Sequence, residues 1–484
     1  MRHGAIIPPL RARSGRSRRT QARLIATTLA LASAAGCSAY RPAPLSAADQ
    51  AAMIGARSLD NPRLLAFVAA EQGAAPAGGR WGLADLTLAA LYYHPDLDIA
   101  RARLAEANAG VVTARQLPNP SISFEDLAYG AGGVWTVAPV INFVIETFGK
   151  RGDRTREARA LAQAARLDLA TASWQVRGRV RDALLDLWAS LQRLALLHQQ
   201  AALQDQLVTL VDHRAIAGQA SSLEAGRETI NRDQLTVAIS GAQRAAIDAR
   251  ARLASAIGVP LGALDGADLQ FSAFARPVQP PADLGAQRRA ALVGRADIQA
   301  LLAGYRAADA AVAFQMASRY PDIGLSPGIG FDSGRSAYRL LPEAELPVFN
   351  QNQGPIAQAE ARRQLAAARL MALQTQVIDA VDGASAQYRA ASEALASARA
   401  LAGGEQGRVA EMQRSFAVGA LDRPSLLAAQ LADLLARQSL ADAAVDQRRA
   451  LGALEDALQQ KLFDPGPPPQ ASPASPRLAS ASAP

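Results

Sequence analysis

Four histidines and one cysteine are the groups in this 484-residue chain best suited to hold a metal or to act as a nucleophile, and their spacing argues against both roles. His3 lies in an arginine-rich leader, His94 directly precedes Pro95, and His198 and His213 stand far along one helical stretch. No set of His, Asp and Glu has the spacing of a metal site. A single cysteine excludes an internal disulfide and a thiolate cage. No Ser-His-Asp arrangement reads as a nucleophile elbow and no Walker loop is present. Gly328-Ile329-Gly330 lies in a strand-like run with no helix behind it, which suits small positions at a bend rather than a phosphate loop. The sequence therefore assigns no catalytic residue, no metal ligand and no cofactor site, and it points away from an enzyme.

Cys37 has chemistry of another kind. Arginines at 11, 13, 16, 18, 19 and 23 precede an apolar run from Leu24 to Ala32, and Ala34-Ala35-Gly36 lead into the cysteine. That order is a charged region, a short apolar region and a small-residue cleavage site. It resembles a bacterial lipobox, with Ala34 where leucine is usual. Residues 1–36 are then a signal peptide, and Cys37 becomes the lipid-bearing (palmitoylated) N-terminus of an outer-membrane lipoprotein. An ordinary signal peptide with an incidental cysteine is the alternative. The net charge of +8 belongs largely to this leader and to arginines dispersed among Asp and Glu. No basic stripe carries interleaved aromatics, so no nucleic-acid partner is expected.

The remaining polar groups of interest lie at two glycine-centred breaks, and a duplication relates them. Asp96-Leu97 recurs as Asp297-Ile298, Pro120 as Pro321, Phe148 as Phe349 and Gly218 as Gly419, each 201 residues on. A unit of that size is too long for a solenoid repeat. Residues 37–82 are punctuated by Pro, Gly and Ala and read as irregular. The first unit, 83–257, opens with a helix from Leu83 to Gln116, ended by Pro118 and Pro120. The apolar period then changes to two, giving strands at about 121–128 and 134–146 around Gly130, Gly132 and Gly133. Trp135 would anchor at a membrane interface. From Lys150 to Ile216, Val176, Val180, Leu184, Leu187, Leu191 and Leu194 recur at spacings of three and four, a coiled-coil seam. Some 65 helical residues span roughly 100 Å. Gly218 and Ser221-Ser222 break this helix, and Leu223 to Ile257 runs back.

Residues 258–283 read as a linker. The second unit, 284–462, repeats the order, with a helix at 284–318, strands at about 321–332 and 336–348, a turn at Ser333-Gly334, a long helix from Pro355 and a second break at Gly419 to Pro424. Residues 463–484 read as a disordered tail. No stretch beyond the leader is apolar for the 18 to 20 residues a membrane helix needs, so a membrane-spanning form requires strands in a closed barrel. Four strands cannot close one, since the smallest bacterial barrels have eight. Self-assembly is then required.

Taken together, His94-Pro95-Asp96-Leu97 with Ala100-Arg101-Ala102, Leu117-Pro118-Asn119-Pro120, Ile145-Glu146-Thr147-Phe148-Gly149-Lys150-Arg151-Gly152, Arg295-Ala296-Asp297-Ile298 and Pro347-Val348-Phe349-Asn350 resemble a TolC-type outer-membrane efflux protein. The Glu-Thr-Phe-Gly-Lys-Arg segment is most like the branch serving heavy-metal systems of the resistance-nodulation-division type. The resemblance implies a fold that is mainly α with a membrane β-barrel contribution. Two tandem helix-strand-strand-long helix-helix repeats per chain would assemble as a homotrimer with a 12-stranded barrel and a periplasmic coiled-coil tunnel. It implies a passive conduit for small toxic solutes or metal cations, an outer-membrane location, a periplasmic adaptor protein as partner and an inner-membrane pump as energy source. The adaptor-docking tips would be Gly218, Gln219, Ser221, Ser222, Gly419, Leu421, Asp422 and Ser425. Some relatives carry an acidic ring just past the second tip. Here Ser425 and Ala428 depart from that pattern, leaving Glu224, Glu405 and Glu411 as the candidate periplasmic gate. A lipid-tethered coiled-coil scaffold without transport, and the channel of a one-step protein secretion system, are the competing readings.

Overall fold

The computed structural model describes residues 40–74, 76–129, 135–275, 283–332 and 335–463. Cys37, the turns at Gly130–Gly133 and Ser333-Gly334, and the tail beyond Phe463 lie outside the described residues, as does the side chain of Trp135.

Residues 37–82 hold more helix than their composition promises: α1 is Ala47–Gly55 and α2 is Pro62–Gln72. Asn61 accepts the Arg63 N–H at 2.9 Å, Pro62 supplies the first helical turn and Gly73 ends it in the left-handed region, the usual start and stop chemistry of a short helix. Residues 40–54 form a unit of their own in the contact pattern. From Gly55 onward, β1 (Arg80–Trp81) leads to α3 (Leu83–Tyr93) and α4 (Pro95–Arg115). The expected single helix from Leu83 to Gln116 is thus two. Pro95 lacks an N–H and keeps His94 extended at φ −70°, ψ 126°. Strands β2 (Ser121–Tyr129) and β3 (Trp135–Ile145) precede the 67-residue α5 (Lys150–Ile216) and its return α6 (Ser222–Ile257).

The described part of the expected linker, residues 258–275, is also structured. β4 (Asp268–Leu269) pairs in parallel with β1, and α7 (Ser272–Ala275) buries Phe274 completely. The second half runs α8 (Leu284–Gly294), α9 (Ala296–Ala317), β5 (Ile323–Asp332), β6 (Arg335–Ala344), α10 (Gln353–Ala417) and α11 (Arg423–Leu458). Here too one expected helix, 284–318, is two, because the chain turns extended at Arg295. β5 starts at Ile323 rather than 321, where Pro321 has no N–H to offer a ladder. β6 stops at Ala344 rather than 348, because Ala344 pairs with Ile323, the first residue of its partner β5.

The four long strands form one antiparallel sheet in the order β2-β3-β5-β6, so the halves join through β3 and β5. The helices pack as two antiparallel hairpins, α5 with α6 and α10 with α11, and α11 also lies on α5. The largest apolar core gathers Leu64, Trp81, Leu86, Val180, Leu184, Leu253 and Phe274 around the middle of α5. A second core joins Val377, Val381, Leu454 and Leu458. The predicted seam of α5 holds through Val176, Val180, Leu184 and Leu187, all buried, but Leu191 is exposed and the buried line continues through Leu197, Gln200, Gln204 and Leu207. A straight helix of 3.6 residues per turn drifts relative to a strict heptad, which moves the buried stripe.

Candidate functional site

Both breaks between long helices are tight left-handed turns. Gly218 and Gly419 each have φ +73°, a conformation that costs a residue with a Cβ roughly 1–2 kcal/mol. At the first, the Gln219 N–H donates to the Arg214 carbonyl at 2.7 Å; at the second, the Ala420 N–H donates to Ser415 at 2.9 Å. These bonds close the helix ends in the manner of a Schellman turn. The returning helices are then capped alike. Ser221 Oγ accepts the Glu224 N–H at 3.1 Å ahead of Ser222, and Asp422 Oδ1 accepts the Ser425 N–H at 3.1 Å. Hydrogen bonding from Ser425, its side chain first and its N–H second, and after it the Arg214 charge, hold the Asp422 carboxyl below its ordinary range.

The two tips touch. Arg214 pairs with Asp422 at 3.4 Å, and Arg423 donates to Gln206 Oε1 at 3.3 Å. Beneath them Leu207, Val211 and Leu427 make a small apolar cluster, with Ala220 and Leu431 against it. Leu421 is half-buried, while Ile216, Leu223 and Val418 are exposed by 80% or more. The candidate gate acids do not come together. Glu224 is exposed in the first turn of α6, Glu411 is exposed near the end of α10, and Glu405 lies about two turns earlier on α10, paired with Arg408 at 2.7 Å. Sequence reasoning missed Arg214. It is an ordinary helical arginine until α11 is laid beside α5, and nothing in the local pattern marks it.

At the other end the sheet has two chemically different faces. Ile122, Phe124, Ile141, Phe143, Ile145, Ile323, Ile329, Tyr338 and Leu340 alternate onto one face, and all are at least 40% exposed. The opposite face carries a polar row. Asn142 Nδ2 donates to Ser123 Oγ at 3.0 Å, and Ser326 Oγ lies 2.8 Å from Asn142 Oδ1. Beside this row Gly328 leaves no room for a side chain, since an added Cβ would stand 2.9 Å from Val140 Cγ2. One apolar face backed by a more polar one is the alternation that a strand between two unlike environments requires. Among the described residues β2 and β6 are the free edges of this sheet, and such edges call for a partner strand.

The profile of the outer membrane efflux protein family matches the chain twice, over residues 88–259 and 288–459. The chain belongs to the outer membrane efflux protein family. Its relatives of this type, the TolC-like outer-membrane factors, are channels and not enzymes. Among solved structures, the outer-membrane channel OprN aligns with a TM-score of 0.63 at 22% identity, covering 79% of this chain and 91% of that one. VceC of Vibrio cholerae, an outer membrane protein, aligns at 0.63 and 20% identity, covering 78% and 95%. CusC, described in terms of folding and transmembrane channel formation, aligns at 0.61 and 18%, covering 78% and 91%. At these identities the likeness shows the shared fold. A search of curated protein sequences finds no match.

Where this efflux-family chain joins sheet to helix, its halves are locked together. The Thr147 N–H and the Lys150 ammonium reach Asp322 Oδ1 at 3.0 and 2.8 Å, and the Phe148 ring stacks on Tyr320 with centroids 4.0 Å apart. Phe349, the sequence echo of Phe148, is 98% exposed, so the two phenylalanines do not occupy like positions. Halfway along the helices a second lock is buried. Glu455, with no exposed surface, accepts from Arg177 and from Arg181, the latter at 3.1 Å, and from the backbone N–H groups of Leu462 and Phe463 at 2.6 and 3.0 Å. Gly452 makes way for this guanidinium, because a Cβ there would stand 2.7 Å from Arg181 Nε.

Proposed function

We propose that this protein is the outer-membrane channel of a tripartite efflux assembly. Three copies contribute four strands each to one barrel, and their long hairpins continue it as a tunnel into the periplasm. The observation that carries this reading is the open four-stranded sheet. Its apolar face is exposed, and its other face carries the polar row Ser123, Asn142 and Ser326, with Arg339 and Glu343 on β6. Membership of the efflux family supports it. A water-facing sheet would not leave a contiguous apolar patch of this kind uncovered, which disfavours the tethered scaffold. The protein acts as a passive conduit whose sheet face offers polar side chains, with Arg339 and Glu343 among them, to the passing solute. Toxic solutes and metal cations are the cargo classes proposed, with no resident metal site required.

The tips at Gly218 and Gly419 are the docking face for a periplasmic adaptor, with Gln219, Ser221, Ser222, Leu421, Asp422 and Ser425 on the same turns. Exposed Ile216, Leu223 and Val418 give that partner an apolar grip. Closure of the tunnel rests on the Arg214–Asp422 pair, with Glu224, Glu405 and Glu411 contributing negative charge at separate heights. A pump of the resistance-nodulation-division type supplies energy from the inner membrane, and lipid on Cys37 adds an outer-membrane anchor.

Planar-bilayer conductance of the detergent-extracted protein, with mass measurement of the oligomer, tests the reading. Trimers with discrete conductance steps are expected. A closed tip can silence a sound channel, so the Arg214→Ala variant is recorded alongside. A water-soluble monomer lacking conductance in both forms overturns the proposal.

A further inference from the structure

The internal seam between β3 and β5 is a template for a contact the single chain cannot make. Along it Phe143 lies opposite Leu325 and Ile145 opposite Ile323. The outer strands β2 and β6 are the repeat counterparts of β5 and β3, and among the described residues both lack a partner on their outer edges. β5 reproduces β2 at the 201-residue offset, with Ile122 and Phe124 becoming Ile323 and Leu325 on the same apolar face. β6 does not reproduce β3 at that offset. Ile122 stands opposite Ile141, whereas Ile323 stands opposite Ala344, so the counterpart of Ile141 is Ala344. The same step turns Pro139 into Pro342. It also relates the left-handed residues that open the long helices, Gly149 at φ 77° and Asn352 at φ 61°. The second half is therefore out of step with the sequence repeat by two residues between β6 and the start of α10.

We propose that β6 and the segment following it pair with β2 of a second copy in this shifted phase, setting Leu346 opposite Phe124 and Val348 opposite Ile122. The inference rests on the channel reading above and gives its subunit seam a register. Each of these pairs repeats an apolar pair of the internal seam, Leu346–Phe124 for Phe143–Leu325 and Val348–Ile122 for Ile145–Ile323. All four side chains are well exposed in the single chain: Leu346 by 76%, Val348 by 69%, Ile122 by 63% and Phe124 by 56%. The Val348 N–H has no strand beside it and turns back to the Leu346 carbonyl at 2.8 Å.

Cysteine pairs read the phase directly, because same-face neighbours on a strand are about 7 Å apart and a disulfide bridges only residues directly opposed. The full-length membrane protein is made with Phe124→Cys plus Leu346→Cys, and separately with Phe124→Cys plus Ala344→Cys, each single variant serving as control for Cys37. The expected result under mild oxidation is covalent dimers and trimers for the Leu346 pair and none for the Ala344 pair. Cross-linking of the Ala344 pair instead overturns the shifted phase while leaving the channel reading intact. An oligomer by native mass spectrometry that cross-links through neither pair overturns the seam. A protein monomeric in that measurement removes the channel reading along with it.

Discussion

The middle of the helical region and its tips are built from the same two hairpins yet held by very different means. Midway, α5 and α11 share a large apolar core and the fully buried Glu455 with its two arginines. At the tips, three buried side chains and one exposed ion pair hold the hairpins side by side. Between them the buried line of α5 passes through Gln200 and Gln204, which bond to Gln438 and Glu228 at 3.1 and 2.8 Å. A polar layer specifies alignment but contributes less than apolar burial to holding helices together. The difference locates rigidity at the middle and freedom at the end where the proposed partner docks.

That contrast can be broken most forcefully at Glu455. Glu455→Ala leaves Arg177 and Arg181, which are 4% and 1% exposed at the side chain, without their shared carboxylate. A loss of about 3–5 kcal/mol is expected in denaturant unfolding, and a loss under 1 kcal/mol would show that the middle is not the anchor. Gly452→Ala drives a methyl into the Arg181 guanidinium and is expected to cost about 1–3 kcal/mol by the same measurement. The tips should respond differently. Leu427→Ala removes a side chain only 1% exposed, a change that costs about 2–5 kcal/mol in a continuous core. In an island that opens on its own, global stability falls by about 1 kcal/mol or less while amide exchange quickens near 207–211 and 426–431. A full core-sized loss would erase the contrast.

Arg214→Ala should leave stability within about 1 kcal/mol, as expected for an exposed pair, yet raise single-channel conductance. Acid offers the mildest test. Because the Asp422 carboxyl sits below its ordinary value of 3.8 in the folded chain, its contribution is complete above that value. It is lost as pH falls through the depressed range. Conductance or tip exchange rising only there, and not in Asp422→Asn, is the expected pattern.

The family resemblance was legible from short motifs spread over both halves, and the turn glycines at 218 and 419 were legible because a left-handed residue between helices strongly favours glycine. Strand alternation was legible for a similar reason, since a sheet with one apolar and one polar face must alternate at period two. The split helices at Pro95 and Arg295 were only half visible, as proline marks the first and nothing so strong marks the second. The apparent match of Phe148 with Phe349 misled, because two like letters at the repeat distance do not reveal a two-residue shift in strand register. The structured stretch 258–275 was hidden by its Gly and Pro content, since Phe274 shows its role only once Trp188 and Phe463 stand near it.

By itself the sequence determined the local facts: where helices break, which strand faces are apolar, and that the unit occurs twice. These follow from periodicity and backbone sterics within a few residues. Only the tertiary structure decided which residues meet across 200 or more positions, such as Arg214 with Asp422 and Glu455 with Arg177. Those contacts depend on the rotation and axial stagger of whole helices. A shift of one residue in a packed helix turns its side chains by about 100°, and no local pattern fixes that angle.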